Sequence, residues 1–373
     1  MKKLRVIISG GGTGGHIFPA IAIAKAFKEN YPETEILFVG ALGKMEMEKV
    51  PAAGFEIVGL PIRGIQRRLT LKNFLVPLYV IRSLIKARKI IKNFQPDIAI
   101  GVGGYASGPI LRAAASMGVK TLLQEQNSYA GVTNRLLSKK ADRICVAYEG
   151  LEKFFPKEKI VITGNPVRPE VLRLEGKKER GIDHFKLDPT KKTILVVGGS
   201  LGARTINHAI RASLNEFQNA GLQLVWQTGK SYYAAASSAA DAMDTNAIHP
   251  FEFIREMDLA YASADIIVSR AGAMSISELC LARKPVILIP SPNVSEDHQT
   301  KNAMALVQRG AALMIPDAEA RQRLSKELIA LSRDENKMFQ LGTEIAALGK
   351  PDATARILAC AMELLNPEKA TGN

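Results

Sequence analysis

Residues 5–16 read RVIISGGGTGGH, an apolar stretch that runs directly into five glycines and a threonine. A compact apolar run that ends at glycine is typical of a buried parallel strand followed by a tight turn. Apolar residues then recur at helical spacing over residues 17–29. The stretch therefore predicts the first strand, loop and helix of an α/β protein with a parallel sheet.

The same alternation continues along the chain and restarts near its middle. In the first half, strands are predicted at residues 5–9, 35–40, 97–102, 120–125 and 143–147. Gly164-Asn165-Pro166 interrupts both the strand and the helix pattern. After it, strands are predicted at residues 193–199, 222–228, 247–253, 265–269, 285–290 and 311–316, and one more helix at residues 352–365. The pattern predicts two doubly wound domains in tandem.

Length and composition agree with two globular domains. The chain has 373 residues, 47% hydrophobic and 23% charged, and a domain takes roughly 150 residues. Its three cysteines, Cys145, Cys280 and Cys360, lie far apart, which disfavours a zinc site or disulfide framework and favours a reducing compartment. No apolar run approaches the roughly 18 residues of a membrane span. The apolar part of the N-terminal segment is too short for a signal peptide.

Positive charge is concentrated in the first half. Residues 1–166 hold 25 lysines and arginines against 12 aspartates and glutamates, a net charge of +13, whereas residues 167–373 have a net charge of +1. Residues 57–96 contain nine basic residues and no acidic one. This imbalance indicates an anionic partner, such as a nucleic acid, an anionic membrane or a phosphorylated substrate. The alternative is ordinary solubilising charge.

Three glycine-rich loops each follow a predicted strand, at residues 10–16, 101–109 and 198–203. Such loops lie at the carboxyl edge of a parallel sheet, where the next helix offers N–H groups to a phosphate. The alternative is that they are only tight turns. The first loop matches G-x-G-x-x-G, but residues 39–42, where the second strand ends, carry no carboxylate for a ribose. A dehydrogenase is therefore disfavoured, and the absence of G-K-[ST] disfavours a P-loop hydrolase.

The motifs resemble those of one glycosyltransferase family. GGGTGGHIFPAIAIAKAF, GVGGYASGP, QEQNSYAGVTNR, TGNPVR, GGSLGA, SRAGAMSISEL, PVILIP and DHQTKNA occur in the order found in the MurG family. The resemblance covers essentially the whole chain. It implies the α/β fold called GT-B, in which two Rossmann-like doubly wound parallel-sheet domains face each other across a cleft. It also implies that the last helix returns to the first domain.

The resemblance implies an activity as well. Members of this family transfer N-acetylglucosamine from UDP-N-acetylglucosamine (UDP-GlcNAc) to lipid I, the undecaprenyl-pyrophosphoryl-MurNAc-pentapeptide, and form lipid II for peptidoglycan. Residues 1–166 and a helix at about 350–373 are expected to face the acceptor and the membrane, and residues 167–349 to bind the donor. The implied enzyme is peripheral on the cytoplasmic face of the cell membrane. It serves cell shape and division beside other cell-wall synthesis enzymes.

Carried over by motif, the donor site draws on both domains. Arg168 and Ser200 would bind the diphosphate. Glu278 would accept hydrogen bonds from the ribose, Ile254 would contact the uracil through its backbone, and Gln299 would bind the sugar. The other implied contacts are Thr13, Gly14, Gly15, Asn127 and a helix start formed by Ala273, Met274, Ser275, Ile276, Ser277 and Glu278. Taken alone, Arg168 equally fits a surface salt bridge, and Glu278 a solvated helix residue.

The implied reaction is a displacement at the anomeric carbon that inverts it from α to β, with the 4-hydroxyl of the muramyl sugar as nucleophile. His16 is the candidate general base, because it ends the first glycine loop and histidine titrates near neutral pH. Its alternative role is to cap the following helix. Glu125 is the reserve candidate. The chain contains no D-x-D motif, so we expect no metal, and no cofactor beyond the substrate UDP-GlcNAc.

Residues 71–92 read LKNFLVPLYVIRSLIKARKIIK and predict a helix at the membrane surface. One stripe of this helix is apolar at its start and basic at its end. The stripe consists of Leu75, Leu78, Tyr79, Arg82, Lys86 and Lys89. Val80, Leu84 and Ile91 are expected to face the core, and Pro77 to kink the helix. The alternative is a core helix with a solvated basic face.

Two other classes of protein are alternatives to this interpretation of the sequence. A glycosyltransferase of the same fold with a soluble acceptor would be active without a lipid-linked substrate. A nucleic-acid-binding protein would use the basic half of the chain. Because the sequence lacks aromatic stacking platforms and repeats, we expect no nucleic-acid partner.

Overall fold

The protein contains two parallel β-sheets, built from separate parts of the chain. The computed structural model describes residues 3–62, 76–199, 202–243, 246–294 and 297–366. The first unit comprises Met1–Val167 and Asp352–Asn373, and the second comprises Arg168–Pro351. Each unit has its own sheet. The two predicted doubly wound α/β domains are thereby confirmed, whereas the acceptor and donor roles assigned to them stay predictions.

The first unit contains seven strands, β1 (Arg5–Ser9), β2 (Glu35–Ala41), β3 (Glu56–Leu60), β4 (Ile98–Gly101), β5 (Lys120–Glu125), β6 (Arg143–Val146) and β7 (Ile160–Ile162). All pair in parallel, in the order β3-β2-β1-β4-β5-β6-β7. Val6, Ile7 and Ile8 of β1 are fully buried, because both faces of the sheet are covered. The helices of this unit are α1 (Gly14–Asn30), α2 (Glu46–Ala52), α3 (Val76–Phe94), α4 (Ser107–Ser116), α5 (Val132–Ser138) and α15 (Ala353–Leu365).

Helix α15 follows the second unit in sequence but packs within the first. Ile357 and Ala361 are fully buried in a cluster that includes Ile17 and Phe27 of α1. The helix predicted at residues 352–365 is confirmed.

The second unit contains six strands, β8 (Lys192–Val197), β9 (Leu222–Gln227), β10 (Ile248–Phe251), β11 (Ile266–Ser269), β12 (Val286–Leu288) and β13 (Leu313–Met314). They also pair in parallel, in the order β10-β9-β8-β11-β12-β13. Trp226 of β9 is fully buried in the core of this unit. The helices are α6 (Lys178–Phe185), α7 (Arg204–Ala212), α8 (Leu214–Asn219), α9 (Lys230–Asp241), α10 (Met257–Ser263), α11 (Ala273–Ala282), α12 (His298–Val307), α13 (Ala320–Arg333) and α14 (Glu335–Ala347).

Each sheet reverses its winding direction at one place. In the first sheet this switch point lies between β1 and β4, and in the second between β8 and β11. Ligands of open α/β sheets bind outside the carboxyl ends of the strands at such points. The three glycine loops follow β1, β4 and β8, so the topology places all of them at a switch point.

Two strands were not predicted, β3 and β7. They are the two edge strands of the first sheet. Strand β3 begins with the exposed Glu56 and contains Gly59, and β7 has only three residues, each half-buried. An edge strand has one neighbour instead of two, and neither of these carries a long apolar run, because Gly59 interrupts that of β3 and that of β7 has only three residues.

Candidate active site

The two glycine loops of the first unit interlock at the switch point. A Cβ added to Gly104 would overlap the backbone of Gly11, and one added to Gly10 would overlap the Val102 side chain. Gly104 also has a φ of +86°, which favours glycine. The two loops therefore form one continuous surface at the carboxyl ends of β1 and β4.

His16 lies half-buried in the first turn of α1, between the two loops. Its backbone N–H donates to the carbonyl of Thr13 at 3.1 Å, and the Thr13 hydroxyl lies 3.3 Å from ring atom Nδ1. A Cβ on Gly103 would lie 2.8 Å from ring atom Cδ2. The candidate base is thus held by Thr13 on one loop and by Gly103 on the other, and Gly14 and Gly15 lie directly before it.

Glu125, at the end of β5, is buried and accepts four hydrogen bonds. Oε1 accepts from the backbone N–H and the Nδ2 of Asn127, at 3.1 and 3.2 Å. Oε2 accepts from the Gly131 N–H at 3.0 Å and from Asn134 Nδ2 at 2.9 Å. The carboxylate therefore holds the loop after β5 and orients Asn127. Because both of its oxygens are engaged, we keep His16 ahead of Glu125 as the candidate base.

In the second unit, Arg168 and Glu278 form a bidentate ion pair. Nε and Nη2 of Arg168 donate to Oε1 and Oε2 of Glu278, both at 2.8 Å. The Tyr261 hydroxyl donates to Oε2 at 3.0 Å. Burial and then the charge of Glu278 raise the pKa of Tyr261 well above its usual range, so the hydroxyl stays protonated. The residues predicted for the phosphate and the ribose therefore belong to one network.

Arg168 also borders a small cavity. Its volume is about 210 Å³, and its lining residues are Arg168, Glu170, Val171, Arg255, Met257 and Asp258. This volume is below the roughly 300–1,000 Å³ of pockets that enclose a drug-sized ligand. The cavity is therefore too small to enclose a whole nucleotide sugar.

Gln227, at the end of β9, connects two segments of the predicted donor site. Its Oε1 accepts the backbone N–H of Ile254 at 2.9 Å, and its Nε2 donates to the carbonyl of Gly199 at 3.2 Å. Because the backbone N–H of Ile254 donates to Gln227, the backbone group of Ile254 left for the predicted uracil contact is its carbonyl oxygen. Ser200, the predicted phosphate ligand, lies outside the described residues.

Helix α11 begins at Ala273, as predicted. Ile276 is buried in the core, whereas Met274, Ser275 and Ser277 are half-buried. Gln299, the predicted sugar ligand, accepts the backbone N–H of Ser291 at 2.8 Å. The loop after β12 therefore orients Gln299.

Comparison with known proteins gives the family. The glycosyltransferase family 28 N-terminal domain matches residues 6–146, and the family 28 C-terminal domain matches residues 193–357. A Parabacteroides distasonis protein named UDP-N-acetylglucosamine–N-acetylmuramyl-(pentapeptide) pyrophosphoryl-undecaprenol N-acetylglucosamine transferase is 56% identical, over 96% of this chain and 97% of its own. Its Cytophaga hutchinsonii namesake is 54% identical over 99% of both chains. The crystal structure of Acinetobacter baumannii MurG, 26% identical, covers 97% of this chain and 99% of its own with a TM-score of 0.79.

The chain belongs to the MurG family. The resemblance that the motifs suggested is therefore confirmed, and with it the assignment as a glycosyltransferase. The roles of individual residues, carried over from the MurG family by motif, stay predictions.

Four polar side chains that contact site segments of this MurG-family chain were not predicted from the sequence: Glu46, Gln227, Tyr261 and Arg270. Arg270 forms an ion pair with Asp317 and donates to the carbonyl of Ile289 at 3.0 Å. It therefore connects the segment before α11 to Asp317 and to the loop after β12. Arg270 lies within the SRAGAMSISEL motif and could have been found there. The other three lie outside the quoted motifs, and only their three-dimensional contacts identify them.

Helix α3 presents exposed apolar side chains. Leu78, Ile81 and Ile85 are 57%, 54% and 64% exposed, and their spacing places them on one side of the helix. Arg82 and Lys89 are exposed as well, whereas Tyr79 is half-buried. No helix among the described ranges has both the length and the apolar character to cross a membrane.

Several details of this helix differ from the prediction. Val80 is 36% exposed, so its assignment to the core is wrong, whereas Ile91 is buried as predicted. Lys86 donates to the carbonyl of Gly59 at 2.8 Å, which ties it to β3. Pro77 is the second residue of the described part of this helix, and the kink expected there stays a prediction. Leu75 lies outside the described residues.

Proposed function

We propose that this chain transfers N-acetylglucosamine from UDP-GlcNAc to the 4-hydroxyl of the muramyl sugar of lipid I, which forms lipid II. The observation that carries the proposal is its 54–56% identity, over nearly the full length of both chains, to transferases named for this reaction. The glycine loop at the switch point of the second sheet supports it, because such loops supply the backbone N–H groups that bind a nucleotide diphosphate.

The second unit binds the UDP part of the donor. The loop that contains Ser200 and the N-terminus of α11 at Ala273 bind the diphosphate through N–H groups and the helix dipole. Glu278, oriented by Arg168, accepts hydrogen bonds from the ribose hydroxyls. The carbonyl of Ile254 contacts the uracil, and Gln299 binds the sugar.

The displacement requires a base and a stabilised leaving group. His16 removes the proton of the 4-hydroxyl as its oxygen attacks the anomeric carbon. The bond from that carbon to the phosphate oxygen breaks, and the configuration inverts from α to β. The charge that develops on UDP is stabilised by loop N–H groups and the N-terminus of α11. Thr13, Gly14, Gly15 and Asn127 surround the sugar, and the mechanism uses no metal or cofactor.

The first unit meets the lipid-linked acceptor at the membrane surface. Leu78, Ile81 and Ile85 of α3 insert among the lipids, while Arg82 and Lys89 contact phosphate groups. The net charge of +13 in residues 1–166 supports attraction to an anionic leaflet. The protein is then peripheral on the cytoplasmic face of the cell membrane. It acts there beside other cell-wall synthesis enzymes, in support of cell shape and division.

Transfer of labelled N-acetylglucosamine from its UDP donor to a lipid I analogue tests this function. We expect a product that co-migrates with lipid II, requires both substrates and forms at the same rate in the presence of EDTA. Two results would contradict the proposal: no transfer, or equal transfer to a muramyl pentapeptide that lacks the lipid.

A further inference from the structure

The carboxylate of Glu46 lies completely buried beneath the first glycine loop. Glu46 is the first residue of α2 and is 0% exposed. Its Oε2 accepts the N–H of Gly12 at 2.9 Å, and its Oε1 accepts the N–H of Ala41 at 3.0 Å. One buried anion thereby connects the loop after β1 to the end of β2.

Two glycines leave room for this side chain. A Cβ on Gly11 would overlap the Glu46 carboxylate, and one on Gly40 would lie 2.6 Å from Glu46 Cγ. Neither glycine has a positive φ, so the backbone conformation does not require glycine at these two positions. Glycine is required there because a larger residue would overlap the Glu46 side chain. The absence of side chains at Gly11 and Gly40 therefore provides the space that the Glu46 side chain occupies.

The other buried acidic side chains show what such a group does in this protein. Within the described ranges, the acidic side chains classed as buried are Glu46, Glu125 and Glu278. Glu125 orients Asn127, and Glu278 pairs with Arg168. Glu46 differs from them because its side-chain partners are backbone N–H groups alone, that of Gly12 in the first glycine loop and that of Ala41 at the end of β2.

The direction of the Gly12 N–H distinguishes this loop from a dinucleotide site. In dinucleotide-binding domains, N–H groups of the glycine loop point at the pyrophosphate. Here Gly12 donates to a carboxylate of the same chain. Glu46 therefore occupies a donor that would otherwise bind an external anion, and the loop holds its shape without a phosphate.

We propose that Glu46 is a positioning residue for sugar transfer, because it holds the first glycine loop and, through it, Thr13 and His16. The inference rests on the proposed function, which gives this loop its part in the reaction. Because the UDP part of the donor is assigned to the second unit, Glu46 acts on kcat and leaves UDP affinity unchanged.

Glu46→Gln is the decisive variant. It preserves volume, but its amide has one oxygen and an NH₂ group that cannot accept an N–H. We expect kcat to fall roughly tenfold to a hundredfold, the range for losing a hydrogen bond to a charged group. UDP affinity, measured by calorimetry, should not change. Glu48→Gln is the matched control, because Glu48 lies on the same helix with its side chain 80% exposed.

Two further variants distinguish the effect of the Glu46 negative charge from the effect of the space that its side chain fills. Glu46→Ala leaves a hole between Gly11 and Gly40, so added formate should restore part of its kcat. Formate should not restore Glu46→Gln, whose side chain fills the space. Gly11→Ala retains the carboxylate but displaces it, and should lower kcat as Glu46→Gln does.

Amide hydrogen exchange over residues 10–16 gives a readout that needs no substrate. Exchange should be faster in Glu46→Gln and unchanged in Glu48→Gln. Full kcat in Glu46→Gln would overturn the inference. Unfolding of Glu46→Gln, or loss of UDP affinity together with kcat, would also overturn it, because Glu46 would then only stabilise the fold. If the wild type transfers no sugar while the exchange difference is present, the proposed function fails and the support of the loop by Glu46 stands.

Discussion

The ion pair between Arg168 and Glu278 predicts that neither residue can be removed independently of the other. Each alanine variant should weaken UDP binding roughly tenfold to a hundredfold, the cost of a hydrogen bond to a charged group. The double variant should be little worse than the weaker-binding single variant, because residues in one network are not additive. Calorimetry with UDP measures this, with the exposed Arg173→Ala as control. Additive losses would show that the two residues act separately.

Gly103 permits a second test at single-residue resolution. Its φ is +95°, and a Cβ there would lie 2.8 Å from the His16 ring. Gly103→Ala should therefore reduce kcat by roughly a hundredfold or more, the contribution of a general base. Gly118→Ala is the control, because Gly118 has a φ of +77° with nothing within 4 Å. Equal losses in the two variants would mean that backbone strain, and not the contact with His16, is responsible.

Single residues were predictable where the type of residue carries the chemistry. The motifs pointed to His16, Arg168 and Glu278, but the pairing of Arg168 with Glu278 joins positions 110 residues apart. Glu46 was missed for a similar reason. A glutamate at the start of a short helix has the sequence pattern of a solvated residue, and only the folded loop shows that its carboxylate is buried.

Helix α3 leads to a prediction about membrane attachment. Replacing Leu78, Ile81 and Ile85 with serine should abolish binding to anionic vesicles even at low salt, because the inserted apolar groups are lost. Replacing Arg82 and Lys89 with glutamine should weaken binding and reduce its dependence on salt. Vesicle flotation measures both effects, and UDP affinity should stay normal.

Phe339→Ser is the control for the apolar replacements. Phe339 is 78% exposed on α14, in the second unit. Unchanged vesicle binding in both sets of α3 variants would contradict the membrane role of this helix. Loss of UDP binding in either set would show instead that the helix supports the fold.

Strands were predictable where the sequence carries an apolar run long enough to be recognised. Central strands such as β1 and β8 carry uninterrupted apolar runs and were predicted from them. In the edge strands β3 and β7, Gly59 interrupts the first run and the second has only three residues. In α3, the helical pattern was visible, but which side faces the core depends on its contacts with β3 and its neighbours, and Val80 was assigned wrongly for that reason.

A substitution in helix α15 tests whether the first unit can be destabilised without loss of UDP binding by the second unit. Ile357 is fully buried in the first unit, so Ile357→Ala should cost about 2–5 kcal/mol of unfolding free energy. UDP binding, assigned to the second unit, should persist at temperatures below the unfolding transition. Thermal unfolding and calorimetry test this, with the more exposed neighbour Arg356→Ala as control. Loss of UDP binding at low temperature would contradict the independence of the two units.

The position of α15 in the sequence also governs the order in which the nascent chain can fold. Its buried side chains complete a core whose other buried members lie between Val6 and Cys145. The ribosome makes all of Arg168–Pro351 in between, which takes roughly 10–40 s at about 5–20 residues per second. The second unit can therefore close its core first. During that interval the apolar side chains of α1 that α15 later covers stay open, and this surface is where the nascent chain needs protection from aggregation.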